Sequence, residues 1–321
     1  MSTKGCLQKD VCEWMVQMIS PSSLRIACVV QIWLLINLAG TVYSQTLGQV
    51  AANCDHRPET QTSLLDLGNQ LSHSGCWEQA ARTYKQVLQA DPANTTAQNN
   101  LGHAQAMLGQ LTEAATTFEQ AVKLQPNNPV PRYNLGNVYL KLQRVDAAIV
   151  QLSKAVELRP DYAAAYCDLG NALVKKGQTS MAISRLNQAL TIEPALYEAE
   201  NNLGAIYYSL KNYKEAAKHF GRAANLAPDS FTSNYNLGAS QLYLHQYAFA
   251  VQSFQKALQV APDDASTHYN LGLAFLGVKD RQASLQQYSI LNNLNPPLAA
   301  KLYQAVHINQ LVIVSPKNRM N

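Results

Sequence analysis

A Leu-Gly dipeptide recurs every 34 residues along most of this chain, and this period constrains its fold more than any other feature. The seven copies are Leu67-Gly68, Leu101-Gly102, Leu135-Gly136, Leu169-Gly170, Leu203-Gly204, Leu237-Gly238 and Leu271-Gly272. A proline follows each glycine after 24 residues, at Pro92, Pro126, Pro160, Pro194, Pro228, Pro262 and Pro296. Seven copies in phase, with no insertion, indicate one repeated supersecondary unit rather than two ordinary domains.

Each repeat carries apolar residues at helical spacing in two stretches. In the fourth repeat these residues are Leu169, Gly170 and Leu173, followed by Ala182, Leu186 and Ala189. The spacing predicts two short amphipathic helices joined by a tight turn. Glycine on the first helix and alanine on the second let the two backbones approach closely. Proline marks the end of the second helix, because it cannot continue the helical hydrogen bonding.

The combination of Leu-Gly, small apolar residues at fixed later positions and a closing proline resembles the tetratricopeptide repeat over residues 61–298. The resemblance implies an all-α fold, a right-handed α-solenoid of seven tandem helix-turn-helix repeats. One departure is the fourth position of each repeat, where the family often has an aromatic residue. The chain has Leu64, Gln98, Arg132, Tyr166, Glu200, Asn234 and His268 there, so we expect that aromatic contact to be mostly absent.

One more apolar stripe follows the last repeat, formed by Leu298, Leu302, Ala305 and Val306 at helical spacing. A repeat array exposes the apolar face of its last member unless another element covers that face. We therefore predict a C-terminal capping helix and a tail within residues 299–321.

The segment before the repeats contains the longest apolar run of the chain, residues 26–43, with an arginine directly before it. Its strongest stretch is 13 residues, which fits the core of a signal peptide better than the roughly 20 residues of a stable membrane span. We predict a signal peptide over residues 1–44 and a linker over residues 45–60. The alternative is an uncleaved signal anchor formed by residues 26–43. Both place the repeats outside the cytoplasm, in a periplasmic, secreted or membrane-anchored protein.

Three of the six cysteines, Cys54, Cys76 and Cys167, follow the predicted cleavage point. In an oxidising compartment, Cys54 and Cys76 could form a disulfide that closes a short loop over the first repeat. The alternative is that these residues are small apolar fillers of the core.

Charge and motifs exclude several classes of function. The formal net charge is only +4, and like charges are not clustered, so a nucleic-acid partner held by phosphate neutralisation is not expected. The chain has no HExxH, paired CxxC, GxSxG or phosphate-binding glycine-rich motif. We therefore predict that it is not an enzyme and that it binds neither a cofactor nor a metal.

The residue before each Leu-Gly is polar in every repeat, and we call this set the polar ladder: Asp66, Asn100, Asn134, Asp168, Asn202, Asn236 and Asn270. The resemblance implies that this face of the first helix lines the concave side of the array. An Asn side chain offers two donors and a carbonyl acceptor, which suits bonding to a peptide group without reading its sequence. A similar asparagine ladder holds extended polypeptide inside the repeat domain of O-GlcNAc transferases, whose catalytic region has no counterpart here.

Tyrosines directly precede three ladder residues, at Tyr133, Tyr235 and Tyr269. Aromatic and amide groups on one wall predict a groove for an extended peptide. The partner-binding residues would be Asn100, Asn134, Asn202, Asn236, Asn270, Tyr133, Tyr235 and Tyr269. The alternative is that the amides hold the local structure of each repeat.

Two hypotheses for function follow. The first is an extracytoplasmic interaction scaffold that binds an extended peptide or a partner protein in the concave groove. The second is an architectural subunit of an envelope or secretion complex, which contacts its partners through the convex surface. Neither needs a membrane contact other than the N-terminal segment, if that segment remains uncleaved.

Overall fold

The computed structural model describes residues 63–314, with side chains through residue 307. Over this range the chain forms fifteen helices and no strand. They are α1 (Leu64–His73), α2 (Trp77–Ala90), α3 (Thr95–Met107), α4 (Leu111–Leu124), α5 (Pro129–Lys141), α6 (Val145–Leu158), α7 (Ala163–Lys175), α8 (Thr179–Ile192), α9 (Tyr197–Ser209), α10 (Tyr213–Leu226), α11 (Phe231–Tyr243), α12 (Tyr247–Val260), α13 (Ala265–Gly277), α14 (Arg281–Leu294) and α15 (Pro296–Val314). The predicted signal segment, residues 1–44, and the predicted linker, residues 45–60, lie outside the described residues.

The described residues divide into two compact units, residues 63–108 and 109–314. In the first unit, α1, α2 and α3 all contact one another. In the second unit, consecutive helices from α4 through α15 pack against one another. Here α15 packs against both helices of the last repeat, α13 and α14. The predicted all-α fold of tandem helix pairs with a C-terminal capping helix is confirmed.

Glycine brings the two helices of a repeat into close contact. A Cβ added to Gly204 on α9 would lie 2.7 Å from the Phe220 ring on α10, and one on Gly136 would lie 2.6 Å from Leu152. Both large side chains are fully buried. The second helices add alanines with no exposed area, including Ala182, Ala189, Ala216, Ala223, Ala250 and Ala257. The predicted close approach through small residues is confirmed.

The capping helix completes the same contact for the last repeat. A Cβ on Gly272 would lie 2.5 Å from Leu302 of α15, so the cap fills the space against this glycine. Ala299, Leu302 and Val306 are buried on α15. Together they cover apolar surface that a terminal repeat would otherwise expose to water.

The turn between the two helices of each repeat contains one residue in the left-handed region. Glycine occupies this position at Gly75, Gly109 and Gly177, whereas Gln143, Lys211, His245 and Lys279 adopt it with φ between 57° and 65°. Left-handed backbone is unfavourable for residues with a Cβ. Four repeats therefore contain a strained turn, and the packing of their helices stabilises it.

Polar contacts replace the aromatic contact at the fourth repeat position. The Arg132 guanidinium, the Asn234 amide and the His268 ring all contact the carbonyl oxygen of the proline six residues earlier, at 2.7–3.1 Å. A carbonyl oxygen can only accept, so Nε2 of His268 carries the hydrogen of its bond to Pro262. The expected loss of the aromatic contact is thus accompanied by hydrogen bonds that tie each first helix to the end of the preceding repeat.

The two described cysteines differ in state. Cys76 is disulfide-bonded. Its predicted partner, Cys54, lies outside the described residues, so that pairing stays a prediction. Cys167 is a free thiol and is buried.

Among residues 63–314, no helix combines the length and the apolar character that crossing a bilayer requires. The predicted membrane-directed segment, residues 26–43, lies outside this range.

Candidate functional site

The first helices of consecutive repeats touch one another in the second unit, and this contact aligns the polar ladder. The contacting pairs are α5 with α7, α7 with α9, α9 with α11 and α11 with α13. Each of these helices carries one ladder residue at the same place, and all five are half-buried: Asn134, Asp168, Asn202, Asn236 and Asn270. In the first unit, Asp66 is exposed and Asn100 is half-buried. The predicted ladder of the second unit therefore lies along one layer of helices.

Ladder residues bond to the preceding repeat. The amide of Asn270 donates to the hydroxyl oxygen of Tyr235 at 3.1 Å, and that of Asn202 lies 3.7 Å from the Cys167 sulfur. The Tyr133 hydroxyl donates to the Asp168 carboxylate. In all three pairs the ladder residue follows its partner by 35 positions. The ladder therefore joins neighbouring first helices, while its side chains remain partly open to solvent.

The first unit has its own version of this bond. The amide of Asn100 donates to the Oδ1 atom of Asn69 at 2.9 Å, and the Tyr84 hydroxyl donates to the same oxygen. A cavity of about 440 Å³ lies at this junction, lined by Asn69, Ser72, His73, Gly75, Trp77, Tyr84, Asn100 and His103. Asn100 thus lines a groove, although no tyrosine precedes it in the sequence.

Two carboxyl groups, those of Asp168 and Glu198, lie near the middle of the polar ladder. Burial raises the pKa of the Asp168 carboxyl above its ordinary value, and Glu198 adds to this, while hydrogen bonds from Tyr133 and Asn137 oppose it. Burial and the two carboxylates raise the pKa of the Cys167 thiol to about 12. The thiol is therefore protonated at neutral pH and is a poor nucleophile.

A cavity of the second unit brings three predicted residues together. Its volume is about 620 Å³, and its lining residues are Tyr208, Tyr235, Ala239, Leu242, Tyr243, His245, Tyr269, Asn270 and Leu273. We call this cavity the tyrosine pocket. Tyr235, Tyr269 and Asn270 were predicted from the sequence, whereas Tyr208 and Tyr243 were missed because they precede no ladder residue. Tyr133 lies elsewhere, with its ring 4.8 Å from that of Tyr162.

Ring contacts hold the walls of the tyrosine pocket. The rings of Tyr213 and Tyr243 stack with their centroids 4.4 Å apart, and Tyr208 meets both of them edge-on. Tyr235 lies between Phe231 and the buried ring of Phe254. Burial, followed by the neighbouring tyrosines, raises the pKa of Tyr208 to about 12. The Tyr208 hydroxyl is therefore neutral at pH 7, and packing sets the positions of the pocket rings.

The described residues contain no group of three or more His, Cys, Asp or Glu side chains placed to hold a metal ion.

Family models match a large part of the chain. A model described as TPR repeat matches residues 68–109, 106–143, 139–177 and 170–211. A second, described as Tetratricopeptide repeat, matches residues 196–263. Together the matches extend over more than half of the chain. A comparison with curated proteins finds no match.

Solved structures share the fold at low sequence identity. One is YrrB, described as a TPR protein with an unusual peptide-binding site; it is 22% identical, with 59% of this chain and 99% of that chain covered and a TM-score of 0.54. The pilF protein of Pseudomonas aeruginosa is 20% identical over 67% of this chain and 98% of that chain, with a TM-score of 0.58. A tetratricopeptide repeat protein from Parabacteroides merdae is 16% identical over 76% and 97%, with a TM-score of 0.54. At these identities the similarity concerns the fold.

Proposed function

Because the chain belongs to the tetratricopeptide repeat family, whose members are protein-protein interaction scaffolds, we propose that it binds an extended segment of a partner protein along its layer of first helices. The observation that carries this proposal is the alignment of five ladder residues on consecutive first helices. The tyrosine pocket lies on the same layer, on α9, α11 and α13. An extended peptide that follows the ladder would therefore reach the pocket.

The ladder amides suit this task even though they bond to neighbouring repeats. An Asn side chain has two N–H donors and a carbonyl oxygen with two lone pairs. The bond from Asn270 to Tyr235 uses one of the donors. The rest of the amide matches the alternating carbonyl and N–H groups of an extended backbone, and the neighbouring bond holds it in place. The description of YrrB as a protein with a peptide-binding site supports the same use of this fold.

We propose that the chain itself performs no chemistry. The free thiol of Cys167 is buried, and burial together with the nearby carboxylates raises the pKa of this thiol to about 12. The Asp168 carboxylate is engaged by Tyr133 and Asn137 rather than facing a reacting group. A catalytic role would need groups that a partner supplies.

We propose an extracytoplasmic location for the repeats, either periplasmic or secreted. The apolar run of residues 26–43 supports it, and so does the disulfide at Cys76, because structural disulfides form mainly in oxidising compartments. An anchor formed by residues 26–43 would keep the same repeats on the membrane surface.

Affinity capture tests the proposed function. Full-length tagged protein is recovered from its own compartment, and the partner retained by the wild type is quantified for the triple variant Asn202→Ala, Asn236→Ala and Asn270→Ala. Each lost hydrogen bond removes about 0.5–1.5 kcal/mol, and tenfold in affinity is about 1.4 kcal/mol. We therefore expect capture to fall at least about tenfold.

The matched control carries Asn187→Ala and Asn225→Ala, which are exposed positions on second helices. It should retain the partner like the wild type. Circular dichroism at the capture temperature verifies that both variants are folded. Equal retention by the ladder variant and the wild type would refute recognition along the first helices.

The second candidate function is contact through the second helices, and their exposed apolar side chains favour it. Val150, Met181 and Phe249 are 62%, 50% and 59% exposed. Loss of the partner on Val150→Ser and Phe249→Ser, with full retention by the ladder variant, would favour an architectural role over groove binding.

A further inference from the structure

The tyrosine pocket is neutral, which restricts what it can select. None of its nine lining residues is Asp, Glu, Lys or Arg, and His245 is exposed at the turn between α11 and α12. A charged tail would lose hydration there and gain no ion pair. The cavity of about 620 Å³ is in the usual range of roughly 300–1,000 Å³ for small-molecule sites, so it holds several side chains of a peptide. Its ligand should therefore be an uncharged segment.

The rings of the pocket are held before any ligand arrives. Tyr243 is stacked on Tyr213, and Tyr208 contacts both edge-on, so these three rings support one another. Preset aromatic surfaces bind flat apolar groups at a low entropic cost. A ligand that is itself stiff would also lose little conformational entropy on binding.

The hydrogen-bonding groups of the pocket favour a ligand rich in acceptors. The Tyr235 hydroxyl accepts the bond from Asn270, so its own hydrogen is directed to another acceptor. Asn270 keeps a second N–H, and Tyr269 forms no side-chain hydrogen bond within the described part of the chain. A proline segment matches these donors, because proline keeps its carbonyl oxygen but has no N–H. In the polyproline II conformation these carbonyls make no internal bonds.

Resting on the proposed function, we propose that the tyrosine pocket binds a proline-rich segment of the partner in the polyproline II conformation. The pyrrolidine rings pack on Tyr208, Tyr243 and Tyr269, and the carbonyl oxygens accept from the tyrosine hydroxyls and the Asn270 amide. Aromatic-lined grooves are a general solution for such segments, because the ligand is already extended and loses little freedom on binding.

Fluorescence anisotropy with defined peptides tests this inference on the full-length protein. The probes are fluorescein-labelled decaproline, an (Ala-Ser)5 peptide and an (Ala-Lys)5 peptide. We expect decaproline to bind with a Kd at least tenfold lower than that of either other peptide. The variant Tyr243→Ser should weaken decaproline binding at least fivefold, whereas the control Phe249→Ser should leave it unchanged. Both side chains are more than half exposed, at 56% and 59%, and circular dichroism verifies that both variants are folded.

Three results would overturn the inference: no preference for decaproline, tighter binding of the lysine peptide, or a decaproline Kd unaffected by Tyr243→Ser. Each differs from failure of the proposed function, which is measured by capture of the natural partner with the ladder variant. If decaproline shows no preference while the ladder variant still loses its partner, the proline assignment alone is wrong. If the ladder variant keeps its partner as well, recognition along the first helices is wrong too.

Discussion

The side-chain amide of Asn270 donates a hydrogen bond to the hydroxyl oxygen of Tyr235 across 3.1 Å, from one repeat to the preceding one. Both residues also line the tyrosine pocket. The same offset of 35 positions relates Asn202 to Cys167. The residues proposed to bind a partner are therefore also residues that hold neighbouring first helices together, and substitutions there should change both stability and binding.

Removal of the hydroxyl in Tyr235→Phe should destabilise the protein. The Asn270 amide then loses its acceptor while staying half-buried, which costs about 0.5–1.5 kcal/mol. Tyr269→Phe is the matched control, because that hydroxyl has no side-chain hydrogen bond within residues 63–307, and its effect should stay within about 0.5 kcal/mol. Urea unfolding monitored by circular dichroism measures both variants. Equal midpoints for the two would show that the bond between repeats does not contribute to stability.

Two helical glycines should respond to alanine in opposite directions. Gly204→Ala places a Cβ 2.7 Å from the buried Phe220 ring and should cost about 1–3 kcal/mol by overpacking. Gly221→Ala meets its nearest side-chain atom, on Leu237, at 3.9 Å and should stabilise its helix by about 0.5–1 kcal/mol. Differential scanning calorimetry of the pair checks the signs. A Gly204→Ala protein as stable as the wild type would contradict the proposed helix contact.

The strained turns offer a route to higher stability. Gln143 has a φ of 59°, a left-handed conformation that costs a residue with a Cβ about 1–2 kcal/mol, and Gln143→Gly removes this cost. The greater conformational freedom of glycine in the unfolded chain opposes the gain by about 0.5–1 kcal/mol. A net gain of about 0.5–1 kcal/mol is expected.

Gly177→Ala is the reverse experiment at the same position of the next repeat. Its φ is 79° and nothing lies within 4 Å of the added Cβ, so the loss of about 1 kcal/mol would come from the backbone alone. Chemical denaturation measures both changes, and a stabilised Gly177→Ala protein would contradict this explanation.

Asp168→Asn should stabilise the protein at neutral pH and less so in acid. Burial raises the pKa of this carboxyl above its ordinary value of 3.8. A raised folded-state pKa favours the fold below the unfolded pKa, and that contribution is lost as pH rises through the folded pKa. At pH 7 the wild type therefore carries a half-buried charge that the variant lacks. The asparagine keeps an acceptor for the Tyr133 hydroxyl.

Thermal melts of Asp168→Asn and wild type between pH 7 and pH 4 measure this difference. The advantage of the variant should shrink as the pH falls and the wild-type carboxyl takes up its proton. Asp161→Asn, at an exposed position, is the matched control. A constant difference across this range would mean that titration of Asp168 does not cause the effect.

The repeats and the closing prolines were predictable because they depend on residue types that recur at a fixed period, and the capping helix was predictable because one more apolar stripe follows the last repeat. Gly136 and Gly204 pack against Leu152 and Phe220 because the pattern places a small residue opposite a large one in these copies. The period therefore encodes the helix pairs, and the residues after the last repeat encode the cap.

The site was predictable only in part, because it depends on residues that individual repeats carry. Tyr208 and Tyr243 occupy positions near the ends of their helices, where other repeats have different residues. Only the packing of α9 against α11 and of α11 against α13 brings them to the same cavity as Asn270. The polar contacts of Arg132 and His268 were also missed, since the pattern indicated the loss of an aromatic group but not its replacement.

Site-specific photocrosslinking tests the central claim most directly. A benzophenone amino acid is placed at Tyr243, in the tyrosine pocket, or at Phe249, on the second helix of the same repeat, and the protein is irradiated with its captured partner. These positions are 56% and 59% exposed, so their access to reagents is alike. The proposed groove predicts crosslinks from position 243 and none from position 249. Crosslinks from position 249 alone would contradict it and place the partner on the second helices.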